Sequence, residues 1–184
     1  MKKGLFALAG LFLLLSCNDD EGKQGDDADH TFMTAAKNNI AHNSEVYRAI
    51  ESGDVSKLDS FMAKDIVDHE GNMGKDIVGL DSIKSYLGSI HKYFDGLKIE
   101  SISEGTSLDG QYHFALVRMT GKTKANPWGM PVGMDMDDMS VDVVKIKDDK
   151  ATDHWSFTSM KDMMEMMEGM KMGNGPAAKK DSIR

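Results

Sequence analysis

Asp142 lies in the run Val141-Asp142-Val143-Val144-Lys145-Ile146. On a strand, alternation puts Asp142 on one face with Val144 and Ile146, while Val143 and Lys145 point the other way. A carboxylate on an apolar face is costly to leave unpaired. Desolvation raises carboxyl groups toward the range in which one group can take and return a proton near neutral pH. Such a residue could shuttle a proton on a bound organic molecule; the alternative is a solvated aspartate at a strand rim. His69 shares a strand face with Val67 and could orient a ligand or tune Asp142, or be a core histidine satisfied by backbone groups. His154 and Trp155 must project to opposite faces of one strand, so both cannot line a cavity. Trp155, on the face of Phe157, reads as packing, and His154 is the polar candidate. Tyr86 and Tyr93 lie on or beside an apolar helical stripe, where a tyrosine buries its ring and can aim its hydroxyl at a ligand; core packing explains the same spacing. Trp128, between Pro127 and Gly129, could flank a pocket mouth or anchor its loop.

Other chemistries find less support. Cys17 is the only cysteine, so neither an intramolecular disulfide nor, once that residue is modified, a catalytic thiol is available. Asp65, Asp68, His69 and Glu70 are acidic neighbours that alternate strand facing separates, and Asp65 to Asp76 lacks the oxygen-ligand spacing of a calcium loop. No nucleophile elbow and no phosphate-cradling glycine loop occurs. Sixteen methionines invite a copper(I) reading, because soft sulfur ligands select soft metals. The spacing Met160, Met163, Met164, Met167 is also an ordinary helical stripe that could pack on the domain or a partner. No metal and no cofactor is expected.

The elements that must position these residues follow from periodicity. Ile40, Tyr47 and Ile50 recur at helical spacing, Gly53 is a stop, and Asp54 is placed to cap a second helix bearing Val55, Leu58, Phe61 and Met62. Asp65 to His69 reads as a short strand. Asp81 caps the cleanest periodic segment, with Ile83, Tyr86, Leu87, Ile90 and Phe94 in one stripe. Strands then follow: Leu97 to Ile102, Gln111 to Thr120, Gly121 to about Ala125, Met139 to Ile146 and Ala151 to Thr158. Asp109-Gly110 and Asp148-Asp149-Lys150 supply turns. Helices first and a meander last imply an α+β domain with antiparallel pairing.

Val67-Asp68-His69, Tyr93-Phe94-Asp95-Gly96-Leu97, Met119-Thr120-Gly121, Trp128-Gly129-Met130-Pro131-Val132-Gly133, the Asp142 strand and Asp153-His154-Trp155 occur in the order and spacing of a known family. Together they resemble the SnoaL-like polyketide cyclase family of the nuclear transport factor 2 superfamily. The resemblance implies a cone-shaped, curved antiparallel sheet wrapped around N-terminal helices, a cystatin-like form, with one internal pocket. It also implies a cofactor-free carboxylate that moves a proton, of isomerase, cyclase or hydratase type. The family's acid/base carboxylate falls at Asp142, and a pocket histidine at His69. Where many members carry a histidine after the Thr-Gly of the central strand, this chain reads Gly121-Lys122-Thr123-Lys124, which points away from the cyclase reaction itself. Many similar proteins have no demonstrated activity, so an enzyme and a non-catalytic envelope module both stay open.

Lys2 and Lys3 precede an apolar run from Gly4 to Leu15 that ends at Ser16-Cys17. This pattern is a signal peptide, too short for the roughly 20 apolar residues of a spanning helix. Leu14-Leu15-Ser16-Cys17 resembles the lipobox of bacterial lipoproteins, which implies acylation of Cys17, for example by palmitate, and an anchor in the cell envelope, periplasmic or outer-surface. The expected organisation is therefore a signal peptide over 1–16, an acidic flexible tether over 17–37, the folded domain over 38–160, and a Met-rich helix with a disordered tail over 161–184. A formal net charge of −8 makes nucleic acid a poor partner. The expected partners are a small apolar organic molecule in the pocket, the membrane through Cys17, and a second copy of the chain against the outer sheet face.

Overall fold

The computed structural model describes residues 21–69, 71, 74–125 and 130–173. Cys17 and Trp128 lie outside them. Helix α1 spans Glu21–Ser52, so residues 21–37, read above as a tether, form its first half. Once the packed half is helical, each residue added toward the N-terminus gains a hydrogen bond without a new nucleation cost, and the polar composition does not stop it. The helix ends at Gly53, whose φ of 80° suits glycine and whose amide donates to the Ala49 carbonyl at 2.7 Å. The inward face of α1 carries Asn39, Asn43, Val46, Tyr47 and Ile50, and Ile40 is exposed.

No second long helix follows. Asp54 does accept from the Ser56 amide, but only a 3-10 turn forms at Leu58–Ser60, and Met62 already begins strand β1 (Met62–His69). Leu58 and Phe61 are buried in the core from this turn, so burial is met without a helix. Strand β2 is the short pair Ile77–Val78, and α2 spans Leu80–Ile90 with Ile83, Leu87 and Ile90 buried as the apolar stripe requires. Its N-cap is Gly79, with Asp81 in the first turn, where a carboxylate favours the helix dipole. The long strands are β3 (Phe94–Thr106), β4 (Tyr112–Thr123), β5 (Asp135–Lys147) and β6 (Lys150–Thr158). The two segments expected over 111–125 are thus one strand. Helix α3 (Met160–Gly173) closes the described part.

The six strands form one curved sheet in the order β2-β1-β6-β5-β4-β3. The β3 to β6 meander is antiparallel as expected, but β1 lies parallel to β6, which makes the sheet mixed. The early strand reaches this position because α2 and β3 to β5 carry the chain round the sheet before β6 returns beside it. The core lies between the sheet's inner face and the two helices α1 and α2, and centres on Leu58, Ile66, Ile83, Phe94 and Met130. Burial of each such side chain contributes about 1.5–3 kcal/mol.

Candidate functional site

The parity of β1 decides which residues enter the interior. Ile66 and Asp68 are buried at 2% and 6% exposure, so they form the inner face. His69 therefore points to the other side, where its ring stacks on Trp155 with centroids 4.7 Å apart and its Nε2 lies 3.1 Å from Asp153 Oδ1. This corrects the expected partnership of His69 with Asp142. His69 still borders the pocket that Tyr86, Asp142 and His154 line. The register β1–β6 pairs Asp68 with His154, and β5–β6 pairs Val144 with His154, so His154 takes the inner face and Trp155 the outer.

On that inner face the sequence brings Asp142, Val144 and Ile146 together, as strand alternation requires. Asp142 accepts hydrogen bonds from Ser156 Oγ at 2.8 Å and Ser140 Oγ at 3.3 Å on Oδ1, and from the Tyr47 hydroxyl at 3.1 Å on Oδ2. Tyr47 in turn accepts from Asn43 Nδ2 at 2.9 Å, one helical turn away on α1. His154 Nδ1 lies 2.6 Å from Asp68 Oδ1, and its Nε2 lies 4.0 Å from Asp142 Oδ1. A carboxylate only accepts, so Asp68 fixes the proton on Nδ1 and aims Nε2 at Asp142 and the open space beside it.

Burial by itself lowers the pKa of His154, but the hydrogen bond to Asp68 and the charges of Asp142 and Asp68 outweigh it, so the imidazole is raised above its usual 6.5. Burial first, then the charge of Asp142, push the Tyr47 phenol well above its ordinary value, and it stays a neutral donor across the physiological range. Burial and the charge of Asp68 push Tyr86 up to about 12.

These groups lie between two adjoining pockets, an inner and an outer lobe, that share part of their lining. The inner lobe is about 110 Å³ and is lined by Asn39, His42, Asn43, Val46, Phe61, Ile83 and Ile146, among others. The outer lobe is about 320 Å³ and adds Tyr86, Ile90, Ile99, Val117 and Met119. Tyr47, Ile50, Asp68, Leu87, Asp142 and His154 border both lobes. Asp142, His154 and Tyr47 thus stand at the waist where the two lobes meet, and the inner lobe is largely apolar. For scale, a cavity of roughly 150 Å³ in another protein holds benzene, so the inner lobe is of single-ring size.

With this geometry in view, the comparison with known sequences decides the family: residues 44–154 match the SnoaL-like domain. The chain belongs to the SnoaL-like family. Among solved structures, this SnoaL-like chain is similar to TsrD from Streptomyces laurentii, at 13% identity and a TM-score of 0.62 over 72% of this chain and 96% of that one. It is similar to a candidate polyketide cyclase from Xanthomonas campestris pv. campestris, at 15% identity and a TM-score of 0.60 over 72% of this chain and 98% of that one. It is likewise similar to Bal32a from a soil-derived mobile gene cassette, at 20% identity and a TM-score of 0.58 over 72% and 98%. At these identities the likeness establishes the fold. No curated protein matches.

Of the residues singled out from the SnoaL-like sequence, Asp142 and His154 meet at the waist and Tyr86 lines the outer lobe. Tyr93 packs against the core cluster, and its carbonyl accepts the Lys124 amide at 2.9 Å. Asp68, Tyr47, Asn43 and Ser156 were not anticipated. The spacing Asn39, Asn43, Tyr47 was the available signal, because it places three polar groups on one helical face. Among the described residues, no group of three His, Cys, Asp or Glu side chains has metal-binding geometry. Met160, Met163, Met164 and Met167 stand exposed, so among the described residues this stripe is not buried against the domain.

Proposed function

We propose that the cavity binds a small, largely apolar organic molecule and that Asp142 moves a proton on it, taking it from a carbon beside a carbonyl and returning it to another atom of the same molecule. His154 replaces His69 as the assisting group. Its Nε2 faces the space beside Asp142, so a protonated ring can donate to the carbonyl oxygen as negative charge builds there. Three hydroxyls hold Asp142 in place, and Tyr47 remains a donor throughout. The single observation that carries the reading is the Asp68–His154–Asp142 arrangement at the waist of the cavity, with His154 Nε2 4.0 Å from Asp142 Oδ1. Neither metal nor redox cofactor is needed for this chemistry.

The test is hydrogen–deuterium exchange at carbons adjacent to the carbonyl in a panel of small aryl ketones, read by proton NMR in heavy water. Asp142→Asn should lower exchange by about 10²–10⁴-fold, the typical worth of a positioned base. Exchange no faster than buffer for every ketone, together with no small molecule retained by the purified chain, would remove the catalytic reading.

We further propose that Cys17 carries lipid and holds the domain at a bacterial envelope membrane. The support is the Leu14-Leu15-Ser16-Cys17 sequence after an apolar run. A non-catalytic reading draws on another surface: Phe114, Val141 and Phe157 are 41%, 39% and 59% exposed on the outer face of the sheet, where a second copy of the chain could cover them. Sedimentation should then show a dimer that Phe157→Asp splits, and a chain monomeric at every concentration would end that reading.

A further inference from the structure

The charges that face the cavity are unbalanced. Among the described residues its lining holds three carboxylates, Asp68, Asp142 and Asp149, together with histidines, but no lysine and no arginine. Strand alternation is the cause. Arg118 and Lys145 point to the outer face of the sheet, where Arg118 holds Asp137 at 2.6 Å and Lys145 lies 3.8 Å from Asp153. Lys150, next to Asp149, turns its ammonium to the carbonyls of Asp59 and Ser60 instead. No fixed positive charge therefore reaches the space.

The imbalance is sharpest at the waist. Of the residues that border both lobes, two are aspartates and one, His154, is a base, so even a protonated ring leaves the carboxylates in excess. Both acids can be reached. The side chains of Asp68 and Asp142 keep 8% and 14% of their surface accessible. Apolar walls strengthen the field of such groups, and salt screens it little. An anion entering here meets like charge at close range, whereas a cation meets its complement.

We propose that the molecule bound in the cavity carries an amine, held as its ammonium ion beside Asp68, and that carboxylates and phosphates are turned away. This inference rests on the reading of the cavity as a site for a small organic molecule, and it adds the sign of that molecule's charge. The position follows from the two oxygens of Asp68. Oδ1 meets His154, while Oδ2 is turned toward Gly71 at the border of the outer lobe. A Cβ at position 71 would run into Oδ2, so a glycine is what lets the carboxylate sit at this border. Tyr86 lines the same lobe, and burial with the charge of Asp68 keeps its phenol protonated and neutral. An ammonium has three donors, which the Asp68 carboxylate and the Tyr86 oxygen can accept. Asp142 is left to work on carbon.

The test compares three aryl ketones of similar shape near neutral pH: p-acetylbenzylamine, a cation; p-ethylacetophenone, which is neutral; and p-acetylbenzoate, an anion. Binding to the full chain is measured by calorimetry. In the wild type the amine should bind about tenfold more tightly than the ethyl ketone, and the benzoate about tenfold more weakly or worse. A chain of net charge −8 also draws cations to its surface, but at 1 M salt that attraction is screened within about 3 Å. The cavity's preference should survive such salt. Asp68→Asn should erase most of the preference for the amine while the ethyl ketone still binds, which shows that the variant is folded; if the ethyl ketone does not bind it, Asp142→Asn serves for the same comparison. Equal affinities, a benzoate that binds as well as the amine, a preference lost in high salt, or one undiminished in the variant that still binds the ethyl ketone overturns the charge inference and leaves the cavity reading standing. If none of the three binds the wild type, the cavity reading fails and this inference with it.

Discussion

At the scale of single residues, the strongest constraint is the pairing of His154 with two carboxylates. Its folded-state value lies above 6.5 because the contacts with Asp68 and Asp142 outweigh burial. The sign of the linkage follows: the ring binds its proton more tightly when folded. The contribution to stability is fully present below about 6.5 and is lost as pH rises through the raised value. Urea midpoints measured from about pH 6 to pH 9 should therefore fall for the wild type more than for His154→Gln. A difference between the two that does not change with pH would show that the imidazolium is not stabilised by its neighbours. Tyr47→Phe bears on the same network. It removes one hydrogen bond to Asp142 and leaves Asn43 Nδ2 buried without its acceptor, so stability should drop by about 1–3 kcal/mol in chemical denaturation. Asp142 was legible in the sequence because strand alternation alone joined it to Val144 and Ile146. The choice between His69 and His154 was not, because the sequence of β1 offers two faces, Ile66 with Asp68 and Val67 with His69, and only the β1–β6 register selects between them. Asp68 was invisible for a related reason: a buried aspartate and a solvated one are the same letter until its partner, 86 positions away, is placed beside it.

At the scale of elements, the site depends on how tightly α1 turns into β1. Gly53 has φ 80°, and a Cβ there would run into the His91 imidazole ring at the end of α2. Gly53→Ala therefore meets both backbone strain and a clash, and should cost about 1–3 kcal/mol, read as a lowered thermal midpoint. Because α1 carries Asn39, Asn43 and Tyr47 in register with Asp142, the same substitution should weaken ligand binding in the cavity. A Gly53→Ala chain as stable as the wild type would mean that α1 and α2 can separate at this corner without cost. The helix α2 was legible almost residue for residue, since its stripe of Ile83, Leu87 and Ile90 is narrow and regular. The expected second helix was not formed. Val55, Leu58, Phe61 and Met62 fit helical spacing, but Leu58 and Phe61 are buried equally well from a 3-10 turn, and Met62 is drawn into pairing with Ala151 on β6. Tertiary pairing overrides a short apolar period in this way whenever the period is no longer than a single strand. Of the α1 stripe, Tyr47 and Ile50 face the core but Ile40 is exposed, because polar Asn39 and Asn43 take the inward face at that end. Hydrophobic spacing cannot report a helix face that has been made polar to serve a cavity.

At the scale of the whole molecule, the ordering of helices before a strand meander was enough for the α+β class, and the family's curved sheet followed from the motifs in their sequence order. The parallel β1–β6 contact was beyond reach, since a strand far from its partner in sequence carries no mark of which edge it will join. The proposed anchor, Cys17, lies outside the described residues. No described helix is long and apolar enough to cross a membrane. Retention by a membrane, as proposed for Cys17, would rest on its acyl chains. One myristoyl-length chain gives only marginal binding and a second anchoring signal makes it stable, so the lipid on Cys17 should carry more than one chain and its loss should be decisive rather than partial. Cys17→Ser should move the protein from the membrane pellet to the soluble fraction, and radiolabel from a fed fatty acid should disappear from it at the same time. Cys17 precedes α1, so thermal midpoint and cavity binding should stay as they were, which separates release from unfolding. A Cys17→Ser chain that still sediments with membranes would mean that a protein surface does the holding, and the exposed outer face bearing Phe114, Val141 and Phe157 would be the first place to look.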